Sequence, residues 1–494
     1  MRISFAIVAS CALLACSTPP AQQGAPAALP DAAGTITAED MRARIGFLAS
    51  DALRGRDTPS PGLDSAAAWI AREFERLRLE PGGDNGTYHQ RYPFTIRTVN
   101  AEQSSWGQLR YGQDFFVWPG SPLNIEGEVV FVGGQLNAAP AAAIKDKVPM
   151  IYVGGALNRD WRTAVNSARN AAQFAGARGL IVVLDSAVTE VDVQQRAQAF
   201  RRTTTASPVN SIAFVRYERA RQLLRAGNHD LVALRAGTSV TSVLPQTAIS
   251  IGAEVNEQRP PNVAGILRGS DPALRDTYVV LSAHMDHVGV GTPDATGDSI
   301  YNGADDDASG TSAVLEVAEA LASMPQRPAR SVLFLLVSGE EKGLLGSRYF
   351  SDHPTVPLQN IVANINIDMI GRNSRDTVVA IGQDYSSLGP LVQEVVRAHP
   401  ELGLVAARDL WPQERFFFRS DHFNFARKEI PAIFFFTGVH EDYHRPSDEV
   451  EKIDADKAAR VARLAYYLTR EIATRRQAPE WSEEGLREVR ALTR

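Results

Sequence analysis

The apolar positions of this chain fall into three stretches of different rhythm. From about residue 36 to 80 they follow helical spacing. Met41, Ile45, Phe47 and Leu48 make one face, and Ala66, Ala67, Trp69, Ile70, Phe74 and Leu77 another. Between them Leu53-Arg54-Gly55-Arg56-Asp57, with Pro59 and Pro61, reads as a loop. From about 123 to 245 the runs shorten. Glu128 to Val132 is a strand ending at Gly133-Gly134, Val148 to Val153 ends at Gly154-Gly155, and Leu180 to Leu184 follows the helix end Ala171–Ala177. This reads as a small β-rich domain without a His and carboxylate cluster. From about 246 to 475 near-continuous apolar strands alternate with helices. The strands are Tyr278–Ser282, Val332–Val337, Ile361–Ile367 and Ala432–Phe436, with helices at about 309–323, 341–351, 387–398 and 455–474. Strands apolar throughout, separated by helices, predict a mostly parallel sheet sandwiched by helices, an α/β fold. The segment 476–494 is a polar tail predicted as a loose helix.

Composition narrows the function. The 494 residues carry 51 basic and 57 acidic side chains, a net charge of -6, which argues against nucleic acid as a partner. No internal apolar run approaches the ~20 residues needed to span a bilayer. Residues 1–15 read as a signal peptide: Arg2, then an apolar run ending in Leu13-Leu14-Ala15-Cys16. That ending resembles a bacterial lipobox, which implies acylation of Cys16 and a lipidated tether over 16–35. Ser17 points, by analogy, to an exported protein anchored at the outer membrane and facing the periplasm. The only other cysteine is Cys11, so the mature domains hold no disulfide and any metal site must use His and carboxylates.

Such residues gather just past the ends of the apolar strands. They are His284-Met285-Asp286-His287, then Gly303-Ala304-Asp305-Asp306-Asp307-Ala308-Ser309-Gly310, Ser338-Gly339-Glu340-Glu341, Asp368, and Tyr443-His444. Each alone has an ordinary structural explanation. Asp368 suits a turn, adjacent glutamates suit a helix start, and the triple Asp suits an N-cap. Five such features at the same relative place on successive segments point to one rim, where open α/β sheets bind ligands. Burying them together without a cation would be costly.

In this order the motifs resemble the aminopeptidase Y family of co-catalytic zinc peptidases. Arg419-Ser420-Asp421-His422 and Pro446-Ser447-Asp448 also fit. The resemblance implies a peptidase domain in two parts, 36–122 and 246–475, around a protease-associated-like insert at 123–245. It implies two Zn2+ ions bridged by Asp306, one completed by His284 and Asp368, the other by Glu341 and His444. Glu340 would be the general base. Asp286 would accept the second ring N–H of His284. A cis peptide is expected between Asp306 and Asp307. The implied activity is hydrolysis of N-terminal residues from peptides, with membrane contact through the lipid anchor only.

Other matches are set aside. His440-Glu441-Asp442-Tyr443-His444 fits H-E-x-x-H, but Gly438 and Pro446 place it in a loop rather than on the helix that motif needs. Asp305 to Glu316 fits an EF-hand spacing, but Thr292 to Gly303 cannot be its entering helix. His287 is expected near the site without binding metal, and His422 and His440 as structural. Trp411, Phe416, Phe417, Phe418 and Phe423 would pack in the core or line an apolar pocket. Carboxypeptidase or dipeptidase action on the same metals stays open, with Arg372, Arg415 and Arg419 as candidate anchors for a substrate carboxylate. A glutaminyl cyclase or a binding protein fits less well, because the ligand set and Glu340 are complete.

Overall fold

The computed structural model describes residues 31–118, 124–155, 159–199, 202–204 and 212–492. The expected signal peptide, Cys16 and the tether as far as residue 30 lie outside the described residues. No described helix is long and apolar enough to cross a membrane.

The apolar runs at 278–284, 331–337, 361–367 and 432–436 form the centre of one nine-stranded sheet. Its order is Glu80–Pro81, Pro261–Leu267, Ser331–Val337, Tyr278–His284, Ile361–Ile367, Ala432–Phe436, Thr377–Ile381, Val405–Ala407, with His89–Arg91 beside Pro261–Leu267. The four central strands are parallel. Pro261–Leu267 and Thr377–Ile381 join them antiparallel. The sheet is the predicted one, mostly parallel and mixed. The four central strands are buried almost throughout because both faces of the sheet are covered. Helices Ala38–Leu48, Pro61–Arg76, Gly310–Ser323, Leu388–Ala398 and Ala455–Thr474 pack on one face. Phe350 and Phe425, from helices Leu345–Asp352 and His422–Ala426, pack on the other.

The helix starts follow local chemistry. Thr37 accepts from Asp40 N and donates to the Asp40 carboxylate at 2.6 Å. Ser60 caps Leu63 N ahead of Pro61, which suits the first helical position. Asp454 caps Lys457 N at the start of Ala455–Thr474.

A second nine-stranded sheet lies apart, with its own core built from residues between Val99 and Ile251. Two expectations need correction here. This unit starts at Phe94 and returns at Gln258, not at 123 and 245, because Phe94–Val99 pairs antiparallel with Ala253–Gln258. The polar, half-exposed faces of these two strands hid them from a search for apolar runs. It is also α/β rather than simply β-rich. Asn124–Val132, Val148–Tyr152, Leu180–Val183 and Ile212–Val215 are mutually parallel, with helices such as Arg159–Phe174 and Tyr217–Ala226 in the same chain segment.

Both ends of the described stretch are tied down more than their composition suggests. Asp31 accepts from Tyr467 Oη at 2.7 Å, and Ala33 is buried, so residues 31–35 belong to the fold rather than to a tether. The polar tail is also docked. Trp481 Nε1 donates to Glu429 O, Arg490 pairs with Glu429, and Val489 of helix Glu483–Leu492 is buried.

Arg44 ties the N-terminal helix to Gly310–Ser323, the helix that begins just after the acidic triple. Its guanidinium reaches Glu316 at 2.5 Å, Glu319 at 2.6 Å and Glu73 at 3.0 Å. Burial is the largest influence on Glu316 and raises its carboxyl from 4.5 to about 6 despite Arg44. A raised carboxyl favours the folded state below the ordinary value and loses that contribution as pH rises through 6. Arg44→Met is expected to cost about 3 kcal/mol at pH 7.5, because it strands a buried carboxylate. The loss should shrink toward pH 4.5, where Glu316 is neutral. Denaturant unfolding of the metal-free protein at both pH values measures it; a loss independent of pH would contradict this account.

Candidate metal centre

The strand Tyr278–His284 delivers His284 to the carboxyl edge of the sheet. Ile361–Ile367 delivers Asp368 beside it, and Ser331–Val337 leads to Glu340 and Glu341. His284 Nε2 lies 3.2 Å from Asp306 Oδ1 and 3.6 Å from Asp368 Oδ1. On the other side of Asp306, His444 Nε2 lies 3.0 Å from Asp306 Oδ2 and 3.1 Å from Glu341 Oε2. Two donor groups result, His284, Asp306 and Asp368, and His287, Asp306, Glu341 and His444. The candidate ligand atoms of each lie within 4.8 Å of one another. All five sequence-derived ligands are therefore brought together, and Asp306 is common to both groups.

The acidic triple divides its work. Asp306 alone points into the cluster. Asp305 Oδ1 accepts from Gly371 N at 2.6 Å. Asp307 accepts from Gly310 N at 2.8 Å, Met369 N and His284 N. Asp448 accepts from Asp305 N and Asp306 N. The Asp306–Asp307 peptide is cis, as the resemblance implied. Gly303, at φ 58°, admits no side chain: a Cβ would sit 2.2 Å from Asp306 O and 2.5 Å from the His287 ring.

Asp286 differs from expectation. The atom that meets His284 Nδ1 is the backbone carbonyl of Asp286, at 3.1 Å; its carboxylate is 3.8 Å away. The turn folds that carbonyl back onto the ring, which still sets the tautomer. The carboxylate instead accepts from Thr58 Oγ1 at 2.9 Å and Glu340 N at 3.3 Å. Burial pushes Asp286 up to about 6.

His287 is more deeply engaged than expected. It is wholly buried, and its Nδ1 lies 2.8 Å from Glu341 Oε1. The only sequence signal was its place three residues after His284. Tyr443 is a second residue that sequence reasoning passed over. Its ring stacks on His444 at 3.9 Å, and burial with the surrounding carboxylates pushes its phenol far up. His440 and His422 stand outside both groups. His440 Nε2 faces Asp305 Oδ2 at 3.3 Å, and His422 lies between Phe417 and Phe434. Residues 440–447 form turns, so the H-E-x-x-H match does not lie on a helix. Glu316, the last position of the EF-hand match, is taken by Arg44. Phe416 and Phe417 are core residues, Trp411 covers Gly438, and Phe418 and Phe423 stay half-exposed.

The electrostatics separate the acids. Burial raises all of them. In Asp306 it is overruled by His287, His284 and His444, so the carboxylate stays ionised. Glu341, buried but facing the imidazoles of His287 and His444, is held at about 2. In Glu340 burial prevails, with Glu341, Asp421 and Asp368 adding to it, and its carboxyl holds a proton far more tightly than usual.

The donor set fits divalent zinc. It consists of imidazole nitrogens and carboxylate oxygens, which suit that ion. The geometry fits as well. His444 Nε2, both nitrogens of His287 and Glu341 Oε1 are buried without a hydrogen bond, although they lie among acceptors and donors. They converge on common points rather than on one another.

Comparison with known proteins agrees with this geometry. The model described as "Peptidase family M28" matches residues 262–469. The chain is 26% identical to a probable leucine aminopeptidase of Arthroderma benhamiae over 215 residues, 42% of this chain and 57% of that one. It is 26% identical to aminopeptidase YwaD of Bacillus subtilis over 230 residues, 45% of this chain and 47% of that one. The chain thus spans about half the length of these curated relatives. Among solved structures, the fold is similar to an aminopeptidase from Aneurinibacillus sp. strain AM-1, with a TM-score of 0.55, 20% identity, and coverage of 91% and 96% of the two chains. It is also similar to BSAP, a zinc aminopeptidase from Bacillus subtilis, with a TM-score of 0.53, 19% identity, and coverage of 91% and 97%. Family match and strand-end donor set fall on the same stretch of chain, residues 262–469.

Proposed function

We propose that this protein is a two-zinc exopeptidase that removes amino acids from the N-termini of peptides. The observation that carries the reading is the pair of donor groups sharing Asp306, with Glu340 beside them. His284 and Asp368 would hold one ion and Glu341 and His444 the other, with Asp306 available to both. His287 steadies Glu341. Ions bound there supply Lewis-acid activation of a water and of the scissile carbonyl.

The chain's own residues do the rest. Glu340 takes the proton of the attacking water and passes it to the leaving amine. Its buried, acid-rich surroundings raise its proton affinity, as a proton carrier between those two groups requires. Tyr443 keeps its proton and so offers an O–H donor beside His444. The buried carboxylates suit a substrate ammonium group rather than a carboxylate. The three arginines that would favour a C-terminal substrate each already contact another side chain. Arg372 pairs with Asp442 at 2.9 Å, Arg415 lies over Phe418, and Arg419 lies over Phe416 and pairs with Glu414. The names of the similar proteins support the same choice. We further place the protein on the outer membrane, facing the periplasm, through a lipid on Cys16, and read the second sheet as a protease-associated-like insert.

Two outcomes are expected. Zinc-loaded protein beginning at Ser17, given one peptide free and N-acetylated, should release residues from the N-terminus of the free form only, and lose this activity with chelator. Mass spectrometry identifies the products; release from the C-terminus of both forms would move the assignment to a carboxypeptidase. Glu340→Gln should keep two zinc ions per chain by elemental analysis yet lower kcat about 100-fold or more. Turnover near the parent value would remove Glu340 as the base.

A further inference from the structure

The loop between the first two long helices touches three of the segments that carry the metal-site residues, and it lies outside the stretch that matches the family. Arg54, Gly55 and Arg56 all have positive φ, at 48°, 64° and 47°. Such backbone persists only where surroundings hold it. Gly55 shows how tightly: a Cβ there would meet Tyr301 O at 2.4 Å and Gly289 O at 2.6 Å.

Arg56 is 1% exposed, and its guanidinium meets no carboxylate directly. It donates to four carbonyls: Met285 at 2.9 Å, Asn302 at 2.7 Å, Gly303 at 3.1 Å, and Leu48. Its own carbonyl accepts from His287 N. It therefore grips the His284–His287 turn and the Asn302–Gly303 approach to Asp306 in one planar fork, which a lysine cannot reproduce. Two residues on, Thr58 is equally buried. Its Oγ1 accepts from Gly339 N at 3.1 Å and donates to Asp286 Oδ2 at 2.9 Å. Asp286 Oδ1 in turn accepts from Glu340 N. Between them, Asp57 pairs with Lys342 at 2.7 Å, just after Glu341.

We propose that the loop Arg54–Pro59 is a positioning element for the metal centre. Thr58 orients Asp286, and through it the turn whose carbonyl holds His284, against the Gly339–Glu341 loop. Arg56 fixes the spacing between the His284 and Asp306 segments. Neither residue touches substrate. The proposal rests on the two-zinc reading above. Its logic is that of a metal ligand's hydrogen-bond partners, whose loss costs metal affinity or activity by about 10–100-fold.

The test compares the parent protein with Thr58→Val, which keeps shape but not the hydroxyl, Thr58→Ser, which keeps the hydroxyl, and Arg56→Lys. Zinc affinity is measured by competition with a chromogenic chelator, and cobalt-substituted forms are compared by their visible spectra. Thr58→Val should weaken one of the two zinc sites 10–100-fold, change the cobalt spectrum and lower kcat with KM unchanged. Thr58→Ser should restore most of all three. Arg56→Lys should weaken zinc binding as well, and stands as the reading if Thr58→Val does not fold. Unchanged affinity and spectrum in Thr58→Val or Arg56→Lys would overturn the proposal. So would equal defects in the Ser and Val variants, which mark a packing role. A parent protein that takes up no zinc would instead overturn the metal-centre reading itself.

Discussion

The rim of the main sheet gathers more carboxyl groups than a protein interior tolerates as bare anions. Asp286, Asp305, Asp306, Asp307, Asp448 and Asp421 are all buried, and Asp368 and Glu341 nearly so. Each buried charge must be hydrogen-bonded, paired or neutralised. The structure does all three, and the distribution defines the site. Asp307 and Asp448 spend both oxygens on backbone N–H groups and Asp305 spends Oδ1, so they act as splints. Asp306 and Glu341 meet imidazoles and stay ionised. Glu340 and Asp421 lack such partners, and burial drives them toward the protonated state.

Two buried cations balance this field from behind. Arg56 faces Asp286, Asp306, Asp307 and Asp448; burial lowers its guanidinium to about 10 without discharging it. Lys457 donates to Arg372 O near Asp305, and burial brings its ammonium down to about 8. Neither reaches a ligand oxygen. The front of the cluster is therefore left without a fixed protein cation, while the back is neutralised by Arg56 and Lys457. This separates ligand carboxylates from structural ones more sharply than sequence does. Asp305, Asp306 and Asp307 are identical in type and adjacent, yet only the middle one belongs to the centre.

Much of the main domain was legible because its strands are buried on both faces. Ile361–Ile367, Ala432–Phe436 and Ala455–Thr474 lie at the bounds the apolar pattern predicts. The clustering of the candidate donors was legible for a related reason. Strand ends are fixed by where apolar runs stop, so polar residues at those points fall on one rim. What stayed hidden has physical causes too. Phe94–Trp106 and Val240–Gln258 are ribbon strands with exposed faces, and their alternation is broken by bulges. The partner of His284 Nδ1 is a backbone atom, which no residue type announces. His287 and Tyr443 enter through the fold of two turns. Arg56 read as an ordinary loop arginine because its acceptors are carbonyls, three of them from two distant segments.

The insertion of a whole second sheet leaves this arrangement undisturbed for a geometric reason. Phe94 is paired with Gln258, so the chain departs and returns at adjacent points. Just below that stalk, Arg91 pairs with Pro261 and His89 with Val263, in the main sheet itself. The two parts of the main domain therefore meet as if the insert were a short hairpin. This closure matters for the centre, because Arg56 and Thr58 lie before the insert while every metal-site residue lies after it. A separation of more than 220 residues between Thr58 and Asp286 is reduced to one hydrogen bond. The main domain is thus longer than the stretch matched by the family model, and it is closed by the strand pair at the base of the insert.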